Sequence, residues 1–311
     1  MAEIELAKIN GQAEGDPTAF VLACEKKYKD FTREVADRVA KNDRIRMILL
    51  AGPSGSGKTT TANMLADELR GLGLRSFVIS LDDFYRDPED PEYPRLENGE
   101  RDFETVDALD LSELEKTLIS IAEGEDFCVP RFDFKLGRRS EVRKYERLTH
   151  GCVIIEGLHA MNPKISEHLP SDRILRIFIS VSTNVNENGE RILSGRKVRF
   201  TRRMVRDSIY RNADAERTLS LWDNVIEGEE KYLYPYRNLA DVDFNTFHEY
   251  EPCVMRAYAE RLISGELAEK NSYANTVLTA LTKVTPLSDT LVPNDSLLRE
   301  FIVGGIYEEF Y

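Results

Sequence analysis

The chain has 311 residues, of which 41% are hydrophobic and 31% charged, with a net charge of -13 and a pI near 5.0. That is enough apolar material for a sizeable core, in one large domain or two modest ones. No apolar run approaches 18 residues, so no membrane span is expected, and a chain this acidic is a poor general binder of nucleic acid. The N-terminal stretch MAEIELAKINGQAEGDP has no basic region followed by an apolar run, so no secretory signal is read there. The four cysteines, Cys24, Cys128, Cys152 and Cys253, are far apart and form no CxxC pair. Neither a zinc site nor a redox motif is expected, and reduced thiols in the cytoplasm are.

In chain order, residues 18 to 41 are predicted helical, because Phe20, Ala23, Cys24, Tyr28, Phe31, Val35 and Val39 recur at spacings of three and four. RIRMILLAG reads as a short buried strand ending in glycine. TTTANMLADELRGLG is helical, with Gly71 and Gly73 as stop signals, and RSFVIS is a second strand. Residues 82 to 108, rich in Asp, Glu and Pro, are predicted to be a long surface loop. LDLSELEKTLISIAEG is a helix with Asp110 or Ser112 as its cap. GCVIIEG and RILRIFISV read as two more buried strands, residues 186 to 232 as mostly helical and ADVDFNT as a last strand. Two further helices, EPCVMRAYAERLISGEL and NSYANTVLTALTKV, precede the tail PNDSLLREFIVGGIY. Strands alternating with helices predict an α/β fold: a doubly wound, mostly parallel sheet with helices on both faces.

GPSGSGKT fits G-x-x-x-x-G-K-[ST], with Gly52, Gly57, Lys58 and Thr59 at the fixed positions. Glycines let the backbone curl so that successive N–H groups meet one anion, and the following helix adds its positive end. Lys58 can reach the β- and γ-phosphates and the Thr59 hydroxyl can hold Mg²⁺. A nucleoside triphosphate is therefore expected along Ser54, Gly55, Ser56 and Thr60 as well. The chain has no N-K-x-D sequence to read guanine, and no apolar run ends in paired acids as a large motor ATPase would need.

In a doubly wound sheet, ligands sit beyond the carboxyl ends of the strands. Two predicted strands end in acids there: FVIS runs into Asp82 and Asp83, and CVII into Glu156. A carboxylate at that place can accept a proton from an attacking hydroxyl, or orient Mg²⁺ directly or through water. The plainer alternatives are a turn cap for the Asp pair and an ion pair with an Arg for Glu156. Trp222, beside Leu219 and Leu221, reads as core rather than as a platform for a base.

GPSGSGKTT, SLDDFYRD, DFETVDALDL, VPRFDFKLGRR, VIIEGLHAMN and an Arg-rich helix follow one another in the order seen in uridine kinases. The chain thus resembles the phosphoribulokinase and uridine kinase group of P-loop kinases over about residues 20 to 306, including the tail LLREFIVGG. The resemblance implies an ATP- and Mg²⁺-dependent transfer of the γ-phosphoryl group to the 5′-hydroxyl of a nucleoside of the uridine or cytidine type. By resemblance Asp82 is the base on that hydroxyl and a metal-site acid with Thr59 and Glu156, and Tyr85 is an aromatic near the nucleoside. Glu104 takes the ribose-binding place of a family Asp, Phe132 stands where the family has Tyr, Gly137 where it has His, and Arg139 matches the Arg that follows. Two base-reading positions therefore lack their polar groups.

Between Arg191 and Arg217 the basic residues cluster, and Arg199, Arg203 and Arg206 share one helical face. Three readings are open on the residues alone: a nucleic-acid patch, a solvated salt-bridged face, or a lid closing over triphosphate. By resemblance Arg203, Arg206 and Arg211 are lid arginines, with Lys58, Arg203 and Arg206 stabilising the charge that moves. The expected organisation is an N-terminal helical segment over 1–44, a kinase core over 45–248 with an Arg-rich helical lid over about 186–217, and a C-terminal helical extension over 249–311 that packs on the core or forms a subunit contact in a homo-oligomer. The expected partners are ATP or another NTP and a nucleoside, with no nucleic acid and no membrane. The rival readings are a kinase of the same group acting on a sugar phosphate or vitamin precursor, and a non-catalytic nucleotide sensor.

Overall fold

The computed structural model describes residues 2–96, 99–133 and 136–308. In chain order the elements are β1 (Ala2–Glu5), α1 (Leu6–Gly15), α2 (Pro17–Ala40), β2 (Met47–Ala51), α3 (Lys58–Gly71), β3 (Arg75–Ser80), α4 (Leu111–Glu123), β4 (Phe127–Asp133), β5 (Arg138–Tyr145), β6 (Gly151–Glu156) and α5 (Pro163–Ser166). Then follow β7 (Ile174–Ser180), β8 (Thr183–Glu187), β9 (Glu190–Leu193), α6 (Gly195–Tyr210), α7 (Ala215–Tyr232), β10 (Val242–Asn245), α8 (Glu251–Leu262), α9 (Gly265–Lys270) and α10 (Ser272–Leu281).

The central sheet has the order β10-β7-β2-β6-β3, with every pairing parallel. Its middle strand β2 is buried on both faces, which is why MILLA carries no polar residue. Side chains alternate across a strand. Met47, Leu49 and Ala51 therefore join Leu114, Leu118 and Ile121 of α4 on one side, while Ile48 and Leu50 join Val35, Ala36 and Val39 of α2 and Leu65 and Leu69 of α3 on the other. The fold is the expected doubly wound α/β sheet with helices on both faces. The cap of α4 is Asp110, whose carboxylate accepts from Glu113 N–H at 3.1 Å. A third apolar cluster gathers α1, the start of α2, α6, α7, α8, α10 and the tail. Trp222 belongs to it, edge-on to Phe200 with its Nε1 donating to Tyr273 Oη at 3.2 Å. Among the described residues no helix is long and apolar enough to cross a membrane.

Two expectations need correction and a third holds except at its start. Residues 186 to 232 are mostly helical, in α6 and α7, but open on a hairpin. Asn188 and Gly189 have φ of 53° and 81°, a turn that folds β8 back onto β9. An Asn-Gly pair is a hairpin signal because it tolerates positive φ at both turn positions. The N-terminal segment is not wholly helical either, since β1 adds parallel to β8. A second hairpin, β4 with β5, stands outside the central sheet where no strands were read.

Candidate active site

The loop from Gly52 to Gly57 joins β2 to α3 and delivers Lys58 as the first residue of the helix. Gly55 and Gly57 have φ of 72° and 92°, conformations that glycine adopts without a steric cost. A Cβ on Gly52 would stand 2.5 Å from the Ile179 carbonyl oxygen, so the spacing of the motif also reflects close packing.

The arginine-rich helix α6 grips this loop. Arg199 donates to both oxygens of Glu229 at 2.8 Å and to the Ser54 carbonyl at 2.8 Å, and Glu229 accepts the Ser54 N–H at 2.8 Å. Arg202 pairs with Glu251 at 2.5 and 2.7 Å and donates to the carbonyls of Gly55 at 3.1 Å and Ser56 at 3.3 Å. Thr246 adds its hydroxyl to the Ser56 carbonyl at 2.8 Å. In a trans peptide the next N–H points the other way. Holding the Ser54 and Ser56 carbonyls thus turns the N–H groups of Gly55 and Gly57 away from α6. The shared face of Arg199, Arg203 and Arg206 is therefore not a solvated one: it points at the phosphate loop, with exposures of 2%, 15% and 15%. Arg203 donates to Ser54 Oγ at 2.9 Å and lies 3.3 Å from Asp207, which Arg211 also approaches at 3.4 Å. The neighbouring Arg206 charge and burial lower the Arg211 pKa to about 10.

Asp82 and Glu156 converge on Lys58 from adjacent strands. Glu156 closes β6, where it pairs in register with Leu50 of β2 and Ser80 of β3, and Asp82 follows two residues after Ser80. Burial pushes the Glu156 carboxyl up to about 7 against the pull of Lys58, with the Asp82 charge adding to the rise. Burial also raises Asp82, opposed first by Lys58 and then by Arg211 and Arg206. Glu156 accepts a hydrogen bond from the Ser80 side chain, and the positive charge that acts on it is that of Lys58 rather than of the Arg of the plainer reading. Asp83 does other work: its carboxylate takes Arg143 and accepts the Phe132 N–H at 3.3 Å, tying the β4–β5 hairpin to the end of β3.

Thr59, Asp82 and Glu156 offer only oxygen donors, and burial raises both acids, with the Asp82 charge adding to the rise at Glu156, a cost that a divalent cation relieves. Among the described residues no three His, Cys, Asp or Glu side chains cluster as a metal cage. A Mg²⁺ site of one or two carboxylates completed by substrate phosphates needs no such cage, so these residues fit that ion.

On the far side of Asp82, Tyr85 donates to the Phe103 carbonyl at 3.0 Å and its ring leans on Phe132 at 5.8 Å. Burial raises the Glu104 carboxyl, with the Arg203 charge opposing it. A Cβ on Gly228 would come within 3.2 Å of Glu104 Oε2, so a glycine in mid-α7 makes room for that acid. Arg139, expected at the acceptor, is engaged by the protein itself. Its guanidinium is committed to Glu113 at 2.5 Å, Asp110 at 3.4 Å and the carbonyls of Tyr85 at 3.1 Å and Phe84 at 3.3 Å. It braces the loop that presents Tyr85. His159, unassigned in the sequence, is buried edge-on to Tyr232 at 6.0 Å, and burial lowers its pKa to about 4, which leaves it neutral at pH 7. Glu229, Glu251 and Glu300 were also missed. No motif marks the first two, and Glu300 lies in the tail stretch LLREFIVGG, whose likeness to the family suggested no role.

A family model described as Phosphoribulokinase / Uridine kinase family matches residues 47–251. The chain is 28% identical to a uridine kinase of Schizosaccharomyces pombe over 59% of its own length and 36% of the relative's. It is 27% identical to a uridine kinase of Borrelia hermsii over 64% of its length and 85% of the relative's. The chain spans only 36% to 38% of the fission yeast uridine kinase and of three Arabidopsis uridine kinase relatives that it matches. A solved structure described as a possible uridine kinase from Bacillus stearothermophilus shares 19% identity and a TM-score of 0.44, covering 71% of this chain and 98% of that one.

Proposed function

Because this chain belongs to the phosphoribulokinase / uridine kinase family and is thus a kinase of the P-loop type, we propose that it transfers the γ-phosphoryl group of ATP to the 5′-hydroxyl of a nucleoside. The observation that carries the proposal is the meeting of Asp82, Glu156 and Lys58 at the mouth of the phosphate loop.

In this reaction the loop from Gly52 to Thr60 binds the triphosphate. The acceptor oxygen forms a bond to the γ-phosphorus, the bond from that phosphorus to the bridging oxygen of the diphosphate breaks, and the hydroxyl proton passes to Asp82. Glu104 holds the ribose hydroxyls, and Tyr85 and Phe132 form an apolar wall beside the acceptor. Lys58, Arg203, Arg206 and Arg211 carry positive charge toward the equatorial oxygens, where planar guanidinium groups suit phosphate geometry. Bound by Thr59, Glu156 and Asp82, Mg²⁺ would supply charge neutralisation of the phosphates. Because the loop is held in shape before the donor arrives, little reorganisation accompanies transfer.

The acceptor is the less constrained half. Phe132 and Gly137 offer no side-chain polar group to a base, and Arg139 is committed elsewhere. That favours, as a second reading, a small hydroxylated acceptor such as a sugar phosphate or vitamin precursor. An acceptor panel with labelled ATP, covering purine and pyrimidine nucleosides and these alternatives, decides between them. Turnover with a nucleoside sustains the proposal, and turnover confined to the other acceptors replaces it. No turnover with any acceptor, with ATP still bound, favours the nucleotide sensor.

A further inference from the structure

We propose that Glu300 is a resident stand-in for a donor phosphate: its carboxylate holds the Thr60 N–H and Arg206 in the resting protein, and the incoming donor takes both. The inference rests on the donor half of the proposed function.

The Thr60 N–H lies in the first turn of α3, where backbone donors have no partner within the helix. In a phosphate loop these N–H groups cradle the α- and β-phosphates. Here the place is filled. Glu300 Oε2 accepts the Thr60 N–H at 3.1 Å, and its other oxygen stands 3.6 Å from Arg206 Nη1. The side chain is 97% buried, since 3% of its surface is exposed. An anionic group therefore already occupies a position that a triphosphate needs, and it comes from a residue 240 positions away in sequence.

The backbone that carries Glu300 is fixed. Residues Leu297–Glu300 form a short 3-10 turn capped by Ser296, whose Oγ accepts the Leu298 N–H at 3.1 Å. Leu297, Leu298, Phe301 and Ile302 are fully buried, and a Cβ on Gly57 would meet Leu297 Cδ1 at 2.4 Å. The Arg299 guanidinium is held by the carbonyls of Val292 at 2.6 Å and Asp289 at 3.0 Å. The exchange is consequently a rotation of one side chain rather than release of the tail.

The hold on Arg206 is loose. At 3.6 Å the contact is beyond a good charge-assisted hydrogen bond, and Arg206 Nε has no hydrogen-bond partner among the described residues. A phosphate offers more oxygens and more charge than one carboxylate, so it wins the guanidinium. Glu300 also faces Glu156, whose negative charge it opposes. A donor binding without displacing Glu300 would add its own charge to Asp82, Glu156 and Glu300 together. Displacement removes one of these from the site and hands Arg206 to the phosphate chain, which couples donor binding to assembly of the transfer site.

Two measurements test this. The first is ATP binding by calorimetry to the wild-type chain and to Glu300→Gln, which keeps the shape and removes the charge. We expect Glu300→Gln to bind ATP roughly tenfold more tightly. The second is a crystal structure of the wild-type protein with a non-hydrolysable ATP analogue, which needs no variant to fold. Expected there is a phosphate oxygen on Thr60 N–H, with Glu300 rotated off and Arg206 on the phosphates. Equal or weaker ATP binding by Glu300→Gln, or Glu300 still on Thr60 N–H with the analogue bound, overturns the inference and leaves the donor assignment standing. Failure of both proteins to bind ATP overturns the donor assignment and this inference with it.

Discussion

The donor and acceptor ends of the site are built with the same residue types in opposite styles. Around the phosphate loop the ion pairs are dry: Arg199–Glu229 and Arg202–Glu251 are 0% to 2% exposed, and each also holds loop carbonyls. Around the acceptor loops the pairs are wet: Arg139–Glu113 is 30% and 33% exposed, and Arg131–Glu141 is 60% and 53% exposed. Leu136 and Val142 of the β4–β5 hairpin region and Phe103 are also exposed to solvent. A buried pair with satisfied hydrogen bonds fixes one geometry and is costly to break, whereas an exposed pair contributes about 0–1 kcal/mol. The donor end is thus preset by the fold, and the acceptor end is shaped by parts that can be exchanged at small cost in stability.

The sharpest way to break that contrast is at the junction, where the two ends meet in one carboxylate. Asp82→Asn should lower turnover by about 10²–10⁴-fold, the usual contribution of a positioned base. Affinity for ATP without Mg²⁺ should hardly change, because the phosphate loop keeps all its contacts. Steady-state kinetics with a parallel ATP titration checks this, and unchanged turnover removes Asp82 as the base. Next in size is the donor-side grip. Arg199→Met leaves Glu229 buried without its cation and should cost about 3–5 kcal/mol in a denaturant titration. A loss below 1 kcal/mol would mean that the pair is as dispensable as those on the acceptor loops.

The same contrast governs how much was legible in the sequence. Donor-end residues lie in one contiguous motif whose spacing encodes backbone curvature, so Gly52, Gly57, Lys58 and Thr59 are read directly. The parallel sheet follows from short apolar runs such as MILLA and CVII, buried on both faces. What holds the loop was not legible. Glu229 and Glu251 lie 175 and 195 residues beyond Ser54 and Ser56, and a buried glutamate has the same letter as a solvated one. Local chemistry misleads at the Asn188-Gly189 turn, which sits inside an arginine-rich stretch with strong helical character. The motif position of Arg139 does not reveal the four local acceptors that claim its guanidinium.

A smaller effect separates Glu156 from the exposed acids. Its carboxyl rises from 4.5 to about 7 on folding. Between those values the folded state binds the proton that the unfolded chain releases, so stability falls as pH rises from 4.5 to 7 and levels off above. The size is about 3 kcal/mol by linkage. Glu156→Gln does not titrate, so its stability relative to the wild type should grow across that window and then plateau. Parallel denaturant titrations at several pH values measure this, and a difference that is flat with pH would deny the raised value.

Arg139 gives the smallest effect and the finest test. As a brace it positions Tyr85 through the Tyr85 and Phe84 carbonyls, and its two carboxylate partners are about one-third exposed. Arg139→Met should therefore cost about 1 kcal/mol of stability and raise the acceptor KM only a few-fold, with the ATP Kd unchanged. Direct contact with the acceptor predicts something else. Losing a charged hydrogen bond to substrate is worth about 1.5–3 kcal/mol, which would raise the acceptor KM by roughly 10- to 100-fold. Stability and KM thus move together for a brace and apart for a ligand. A large rise in KM at unchanged stability would return Arg139 to the substrate and make the acceptor end more like the donor end than its exposed ion pairs indicate.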